Sequence, residues 1–250
     1  MGSSSPEPGR KAPVALIAGA GEGLGTAIAR ACASAGFATV LVARSQERLD
    51  RVAAAINDEG GIARAKTADL RDEASVVGLF DQIEAELGIP EFVVYNAGAQ
   101  YRQSILDTRA DMFEKVWRLS CFAGFLVGRE AARRMTPRGS GTVIFTGATA
   151  SMRGGPNFAA FAAAKFGLRA LAQSMARELG PQGLHVAHVV IDGAIDMPRI
   201  HKLFPDLAAR TPEDGMLHPD DIAQSYLALH RQPRSAWTFE LDLRPWAEKF

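Results

Sequence analysis

The 250-residue chain is long enough for one large α/β domain with a sizeable core. Its 28 basic residues balance 28 acidic ones, so no surplus positive charge invites a polyanion, and nucleic acid is not an expected partner. Two cysteines without a C-x-x-C or Cys/His cluster, and five histidines without H-E-x-x-H spacing, argue against a disulfide framework and a metal site, and fit a reducing compartment.

The start, MGSSSPEPGRK, is polar and Pro-rich and reads as a disordered tail over residues 1–11, with 12–250 as one domain. VALIA (14–18) is a short apolar run, followed by a Gly-rich turn and a stretch with helical spacing that ends at Gly36. ATVLVA (38–43), IARAKTADL and EFVVYNAG read as further strands, separated by amphipathic stretches that end near Gly60 and Gly88. A long helical segment is expected from about Thr108 to Met135, then a strand in GTVIFTGA, a helix from about Asn157 to Leu179, and a strand in LHVAHVVIDG. Residues 194–216 lack a regular pattern and are expected to form a substrate loop; a helix near Pro219–Leu229 and a strand, AWTFELDL, follow. Strands that are nearly continuous apolar runs, alternating with helices, imply a doubly wound, mostly parallel seven-stranded sheet with helices on both faces. No apolar run reaches 18 residues, so no membrane span is expected, and a cytoplasmic protein is the expectation.

The turn AGAGEGLG (18–25) lies at the first strand-to-helix junction, where glycines let the backbone approach a phosphate at a helix N-terminus. Its spacing, Gly19-x-x-x-Gly23-x-Gly25, resembles the T-G-x-x-x-G-x-G of the short-chain dehydrogenase/reductase family, with Ala18 in the Thr place. YNAG (95–98) is similar to that family's N-N-A-G, Asp69-Leu70 to its adenine-contacting acid, and Lys165 to the lysine of its Y-x-x-x-K helix. The resemblance implies a Rossmann-type fold that binds a nicotinamide dinucleotide through Gly19, Gly21, Gly23, Leu24, Gly25, Asp69, Leu70, Asn96, Ala97, Gly98, Lys165, Gly193 and Ile195. At the end of the second strand Ala43 stands where NAD-binding relatives carry an acid, and Arg44 follows. Its planar guanidinium suits a 2′-phosphate, which favours NADP over NAD, although Glu22 argues the other way.

In that family a Tyr hydroxyl donates the proton, a Ser hydroxyl orients the carbonyl, and an Asn holds a water beside the Lys. Here the Tyr position, four before Lys165, is Phe161, and the Ser position, thirteen before Phe161, is Ala148. Ser120 falls at the Asn position. Lys165 keeps an expected role at the nicotinamide ribose. Tyr101, on the loop after the fourth strand, is the candidate substitute donor, with Thr149 and Ser151 as further hydroxyls and Asp192 or Asp196 as nearby carboxylates able to act as an acid. Tyr95 and Tyr226 are expected to pack in the interior.

The resemblance leaves three functions open. The first is an NADP(H)-dependent reductase acting on a small molecule with a C=N, C=C or activated carbonyl bond. The others are a non-catalytic cofactor-binding partner or sensor, and an isomerase, cyclase or lyase using the same cleft. The resemblance also implies pairing through the helices after the fourth and fifth strands, whose apolar faces carry Phe122, Phe125, Leu126, Phe166 and Leu168, and so a homodimer or homotetramer is expected. Trp246 and Phe250 are expected to cover an interface or the pocket.

Overall fold

In the computed structural model, which describes residues 11–21, 23–203 and 205–248, seven strands form one sheet in the order 3-2-1-4-5-6-7. They are β1 (Val14–Ala18), β2 (Ala38–Ala43), β3 (Ile62–Thr67), β4 (Phe92–Tyr95), β5 (Gly141–Thr146), β6 (Leu184–Ile191) and β7 (Glu240–Leu243). Every neighbouring pair is parallel. All eight residues of β6 are buried, as are all five of β1 and all four of β4. This is why these segments read as apolar runs rather than alternating ones: both faces of the sheet are covered.

Successive side chains leave a strand on opposite faces, so β1 feeds two cores. Ala15 and Ile17 pack with residues of α1 (Leu24–Ser34), α2 (Gln46–Asp58) and α9 (Pro219–His230). Leu16 and Ala18 pack with residues of α3 (Glu73–Glu86), α5 (Ala123–Met135) and α6 (Ala159–Leu179). The chain leaves β3 and returns to the other side of β1 as β4. That reversal opens a crevice at the carboxyl ends of β1 and β4, the place where such sheets bind ligands.

Three expectations change. The long helix expected from Thr108 is α4 (Ala110–Trp117), a π-helical turn over Arg118–Phe122, and then α5. Apolar spacing hides such an interruption, because one extra residue per turn leaves inward positions on both sides of it. The Tyr95 hydroxyl donates to the Leu119 carbonyl freed inside the turn. The segment 194–216 is not irregular throughout: Pro198 and Pro205 open two short helices, α7 (Pro198–Leu203) and α8 (Pro205–Arg210). The last strand is shorter than AWTFELDL, since Arg234–Ala236 forms a 3₁₀ turn and Trp237 stacks on His185 with ring centroids 5.0 Å apart. Among the described residues no helix is long and apolar enough to cross a membrane.

Candidate active site

The first wall of the crevice is the glycine turn between β1 and α1. Gly19 has φ +101°, and a Cβ there would collide with the Ala97 amide, so only glycine lets the turn close onto the end of β4. Gly19 and Ala20 donate their amides to the Val42 carbonyl at 2.8 and 2.9 Å, tying the turn to β2. Asn96 donates from Nδ2 to the Gly19 carbonyl at 3.0 Å, tying it to β4. A Cβ on Gly25 would lie 2.5 Å from the Gly19 carbonyl oxygen, so α1 runs hard against the turn. Gly23, with φ +96°, precedes Leu24, and no side chain caps this helix end. Its first-turn amides are therefore open to a ligand anion. Glu22 lies outside the described residues, as do residues 1–10 of the expected tail and Phe250.

Beyond the turn is a cleft of about 230 Å³ bounded by Gly19 and Gly21, Arg44, Asp69 to Arg71, and Asn96 to Gly98. A recess of about 310 Å³ continues from it, sharing Arg44 and Asp69 and adding Thr67 and Ser75. Arg44 is exposed at the mouth of both. Arg71 grips Asp69 with Nε and Nη2 at 2.9 and 2.8 Å, and that hydrogen-bonded guanidinium holds the Asp69 carboxyl down at about 2. Leu70 is buried behind it. The two-residue spacing of Asp69 and Arg71 is the sequence signal for this contact.

At the other end of the crevice Lys165 is only 4% exposed. Its Nζ donates to the Thr146 carbonyl at 2.7 Å, and burial lowers its pKa to about 8. Ser120, turned inward by the π-helical turn, accepts the Ala99 amide at 3.1 Å. A Cβ on Gly98 would stand 3.5 Å from Lys165 Nζ and 3.6 Å from Ser120 Oγ, so the absence of a side chain there leaves a cradle in front of both polar groups. Lys165, Ser120 and Gly98 thus meet.

Of the two positions expected to lack hydroxyls, Phe161 has its ring centroid 5.8 Å from Lys165 Nζ. Phe161 packs in a small apolar cluster with Val116, Ala160 and Tyr101. Ala148, in extended conformation, donates its amide to Ser151 Oγ at 3.1 Å. Tyr101 is half-buried, and its hydroxyl has no hydrogen-bond partner among the described residues. Tyr95 and Tyr226 are fully buried; the latter shares a 2.8 Å hydrogen bond with Thr146 Oγ1. Ser151 is also fully buried.

The loop after β6 closes the third side. Gly193 has φ +157°, and a Cβ on it would meet the Pro245 ring at 2.7 Å. Ile195 bridges to Leu217, and the Met197 thioether lies against Gly23. Both aspartates here have side-chain partners. The buried Asp192 carboxylate accepts from Thr149 Oγ1 at 2.6 Å and pairs with Arg153 and Arg244 at 3.4 and 3.3 Å. Asp196 pairs with His201 at 2.5 Å and with His218 at 3.5 Å. Trp246 is 73% exposed and donates from Nε1 to the Glu213 carbonyl, so it braces this segment rather than filling the crevice.

Behind the site Arg169 forks onto Glu240 at 2.6 and 2.7 Å, and Glu240 accepts from His188 Nδ1 at 3.0 Å. Burial, resisted by Glu240, lowers the His188 pKa to about 4. A Cβ on Gly147 would collide with this imidazole. The partners come from α6, β6 and β7, and no local sequence pattern links them.

The glycine cradle, the open end of α1, the cleft and the buried ammonium together fit a nicotinamide dinucleotide. Comparison with known proteins agrees. The family profile described as short chain dehydrogenase matches residues 13–206. A short-chain dehydrogenase/reductase of Armillaria gallica is 35% identical over 189 residues, 74% of this chain and 71% of that protein. The crystal structure of a short-chain dehydrogenase from Rhodopseudomonas palustris is 43% identical with a TM-score of 0.81, covering 95% of this chain and 100% of that one. A metagenomic short-chain oxidoreductase in complex with NADP is 27% identical with a TM-score of 0.81, covering 93% and 97%.

Proposed function

Since this chain belongs to the short-chain dehydrogenase family, we propose that it is an NADP(H)-dependent reductase of a C=N, C=C or activated carbonyl bond, working without a Tyr and Ser hydroxyl pair. The observation that carries this reading is the pairing of a buried Lys165 with the phenyl ring of Phe161, where a hydroxyl would be needed, behind the glycine cradle.

When bound, the reduced nicotinamide supplies a hydride. The protein's own part is binding and orientation. Gly19, Gly21, Gly23, Leu24 and Gly25 would seat the pyrophosphate at the start of α1, and Asp69 and Leu70 the adenine. Asn96, Ala97 and Gly98, with Gly193 and Ile195, would bound the nicotinamide nucleotide, and Lys165 with Ser120 would hold its ribose. Arg44 supports NADP over NAD because a guanidinium stands at the mouth of the nucleoside cleft while Ala43 contributes no carboxylate. Phe161 and Ala148 cannot move a proton; Tyr101 offers the free hydroxyl on that wall. A substrate that is already protonated, or is electrophilic enough to take hydride before its proton, suits such a wall. The proposal includes a small-molecule substrate, a cytoplasmic setting and a homodimer or homotetramer.

NADPH oxidation measured across imines, enones and ketones tests this reading. Turnover of imines or enones is expected, and turnover restricted to simple ketones would overturn it. Tight NADPH binding with no turnover of any substrate would favour a cofactor-binding partner or sensor, which the intact cradle also permits.

A further inference from the structure

Asp69 and Arg44 line the same two cavities, the cleft of about 230 Å³ and the recess of about 310 Å³, and Arg71 lines the cleft with them. The hydrogen bonds of Arg71 are the main cause that holds the Asp69 carboxyl down; the charge of Arg44 adds to them, so Arg44 and Asp69 lie within electrostatic reach. An unpaired carboxylate at this place would act twice against a phosphate on Arg44. It would repel the phosphate, and it would compete for the guanidinium.

Arg71 takes up that carboxylate. Its Nε and its backbone amide donate to Asp69 Oδ1 at 2.9 and 3.0 Å, and its Nη2 donates to Oδ2 at 2.8 Å. A carboxylate has about four lone-pair sites, so one on Oδ2 is left for the amino group of an adenine. The turn is held from several sides. The Asp69 amide donates to Ser75 Oγ at 3.1 Å, the Asp72 amide to the Asp69 carbonyl at 3.0 Å, and Arg118 Nη2 to the Arg71 carbonyl at 3.4 Å. The neighbouring carboxylate, Asp72, accepts the Ser75 amide at 2.8 Å as the cap of α3. The Asp69 and Arg71 side chains are 46% and 35% exposed, and an ion pair so open to water adds little to stability. What the pair changes is the potential inside the cavities it lines.

Resting on the NADP(H) reading above, we propose that Arg71 is a second determinant of cofactor choice: by neutralising Asp69 it leaves Arg44 to hold the 2′-phosphate of NADP(H). Arg71 acts through Asp69 and is a positioning residue; Arg44 is the residue that meets the phosphate.

Calorimetric titration with 2′,5′-ADP and 5′-AMP, which differ only in the 2′-phosphate, reads this without turnover. The wild type should bind 2′,5′-ADP more tightly. Arg71→Ala should shrink that preference about three- to tenfold, the size expected of one unpaired charge near a phosphate in a partly solvated cleft. The loss should fade as salt is raised. Arg71→Lys, which keeps the charge without the fork, should lose less. Asp69→Asn removes an adenine contact from both ligands alike, and in the Arg71→Ala background it should restore the preference. A preference unchanged by Arg71→Ala, whether both ligands bind as before or weaken together, makes Arg71 a turn residue only and overturns the inference. A loss that Asp69→Asn does not restore means that Arg71 meets the phosphate itself, and overturns it too. In both cases a wild-type preference abolished by Arg44→Ser leaves the NADP(H) reading standing. Equal binding of the two ligands by the wild type overturns that reading, and this inference with it.

Discussion

Lys165 Nζ lies 5.8 Å from the centroid of the Phe161 ring, one helical turn away, and directs its hydrogen bond to the Thr146 carbonyl instead. The lysine thus has a backbone partner on the sheet side and an aromatic ring one helical turn back. Introducing hydroxyls at Phe161→Tyr and Ala148→Ser should create ordinary ketone reduction. A positioned proton donor contributes on the order of 10²–10⁴-fold. Steady-state assays with cyclohexanone should show at least a hundredfold gain for the double variant, with less for either substitution alone.

Lys165→Met should keep the fold and weaken NADPH binding about 10- to 100-fold, the usual effect of losing a hydrogen bond from a charged donor. Fluorescence titration of NADPH would measure it. Unchanged affinity would mean that Lys165 serves only the Thr146 carbonyl.

If Arg44 reads the 2′-phosphate as proposed, Arg44→Ser should cost NADPH affinity about 10- to 100-fold and leave NADH affinity almost unchanged. Parallel titrations with the two cofactors decide this. Equal losses for both would show that Arg44 does not read the 2′ position.

Stability should fall on the acid side. Burial depresses the pKa of His185, His188 and His230, with His188 at about 4 against 6.5 when unfolded. The unfolded chain therefore binds protons first as pH drops. The contribution of His188 is complete above pH 6.5 and is lost progressively toward pH 4, on the order of 3 kcal/mol in all. Thermal melts between pH 7.5 and 4.5 should show a declining Tm, and His188→Asn should flatten the decline.

Phe125 on α5 and Phe166 on α6 are 36% and 42% exposed, with Trp117 on α4 at 39%. If these rings are covered by a second copy of the chain, Phe125→Glu with Phe166→Glu should shift the mass in solution to that of a monomer. Light scattering reads the outcome directly, and an unchanged mass would place the subunit contact elsewhere.

Much of this was legible before the structure, and the exceptions have physical causes. Continuous apolar runs such as VALIA and LHVAHVVI could only be buried strands, so the sheet followed from them. Phe161 and Lys165 share a face because a helix has 3.6 residues per turn, so their relation could be read from spacing. Leu126 and Leu168 were expected on subunit faces together with the phenylalanines. Both are buried against the sheet, because apolar character does not tell a core stripe from an interface stripe. The Asp192 cluster joins Thr149, Arg153 and Arg244 from separate segments, and the Arg169–Glu240–His188 chain joins α6, β6 and β7. Contacts made across the fold leave no local pattern.

Because all seven strands run the same way, the molecule has two unlike rims. Ala18, Ala43, Tyr95, Thr146 and Ile191 end their strands at the rim that carries the crevice. Val14, Ala38, Phe92, Gly141 and Leu184 begin theirs at the opposite rim, reached through turns at Gly36, Gly88, Gly139 and Gly183. Tethers, labels or fused partners attached at those turns would stand a full strand length from the crevice. The protein can therefore be immobilised or fused through one rim while the crevice faces solution.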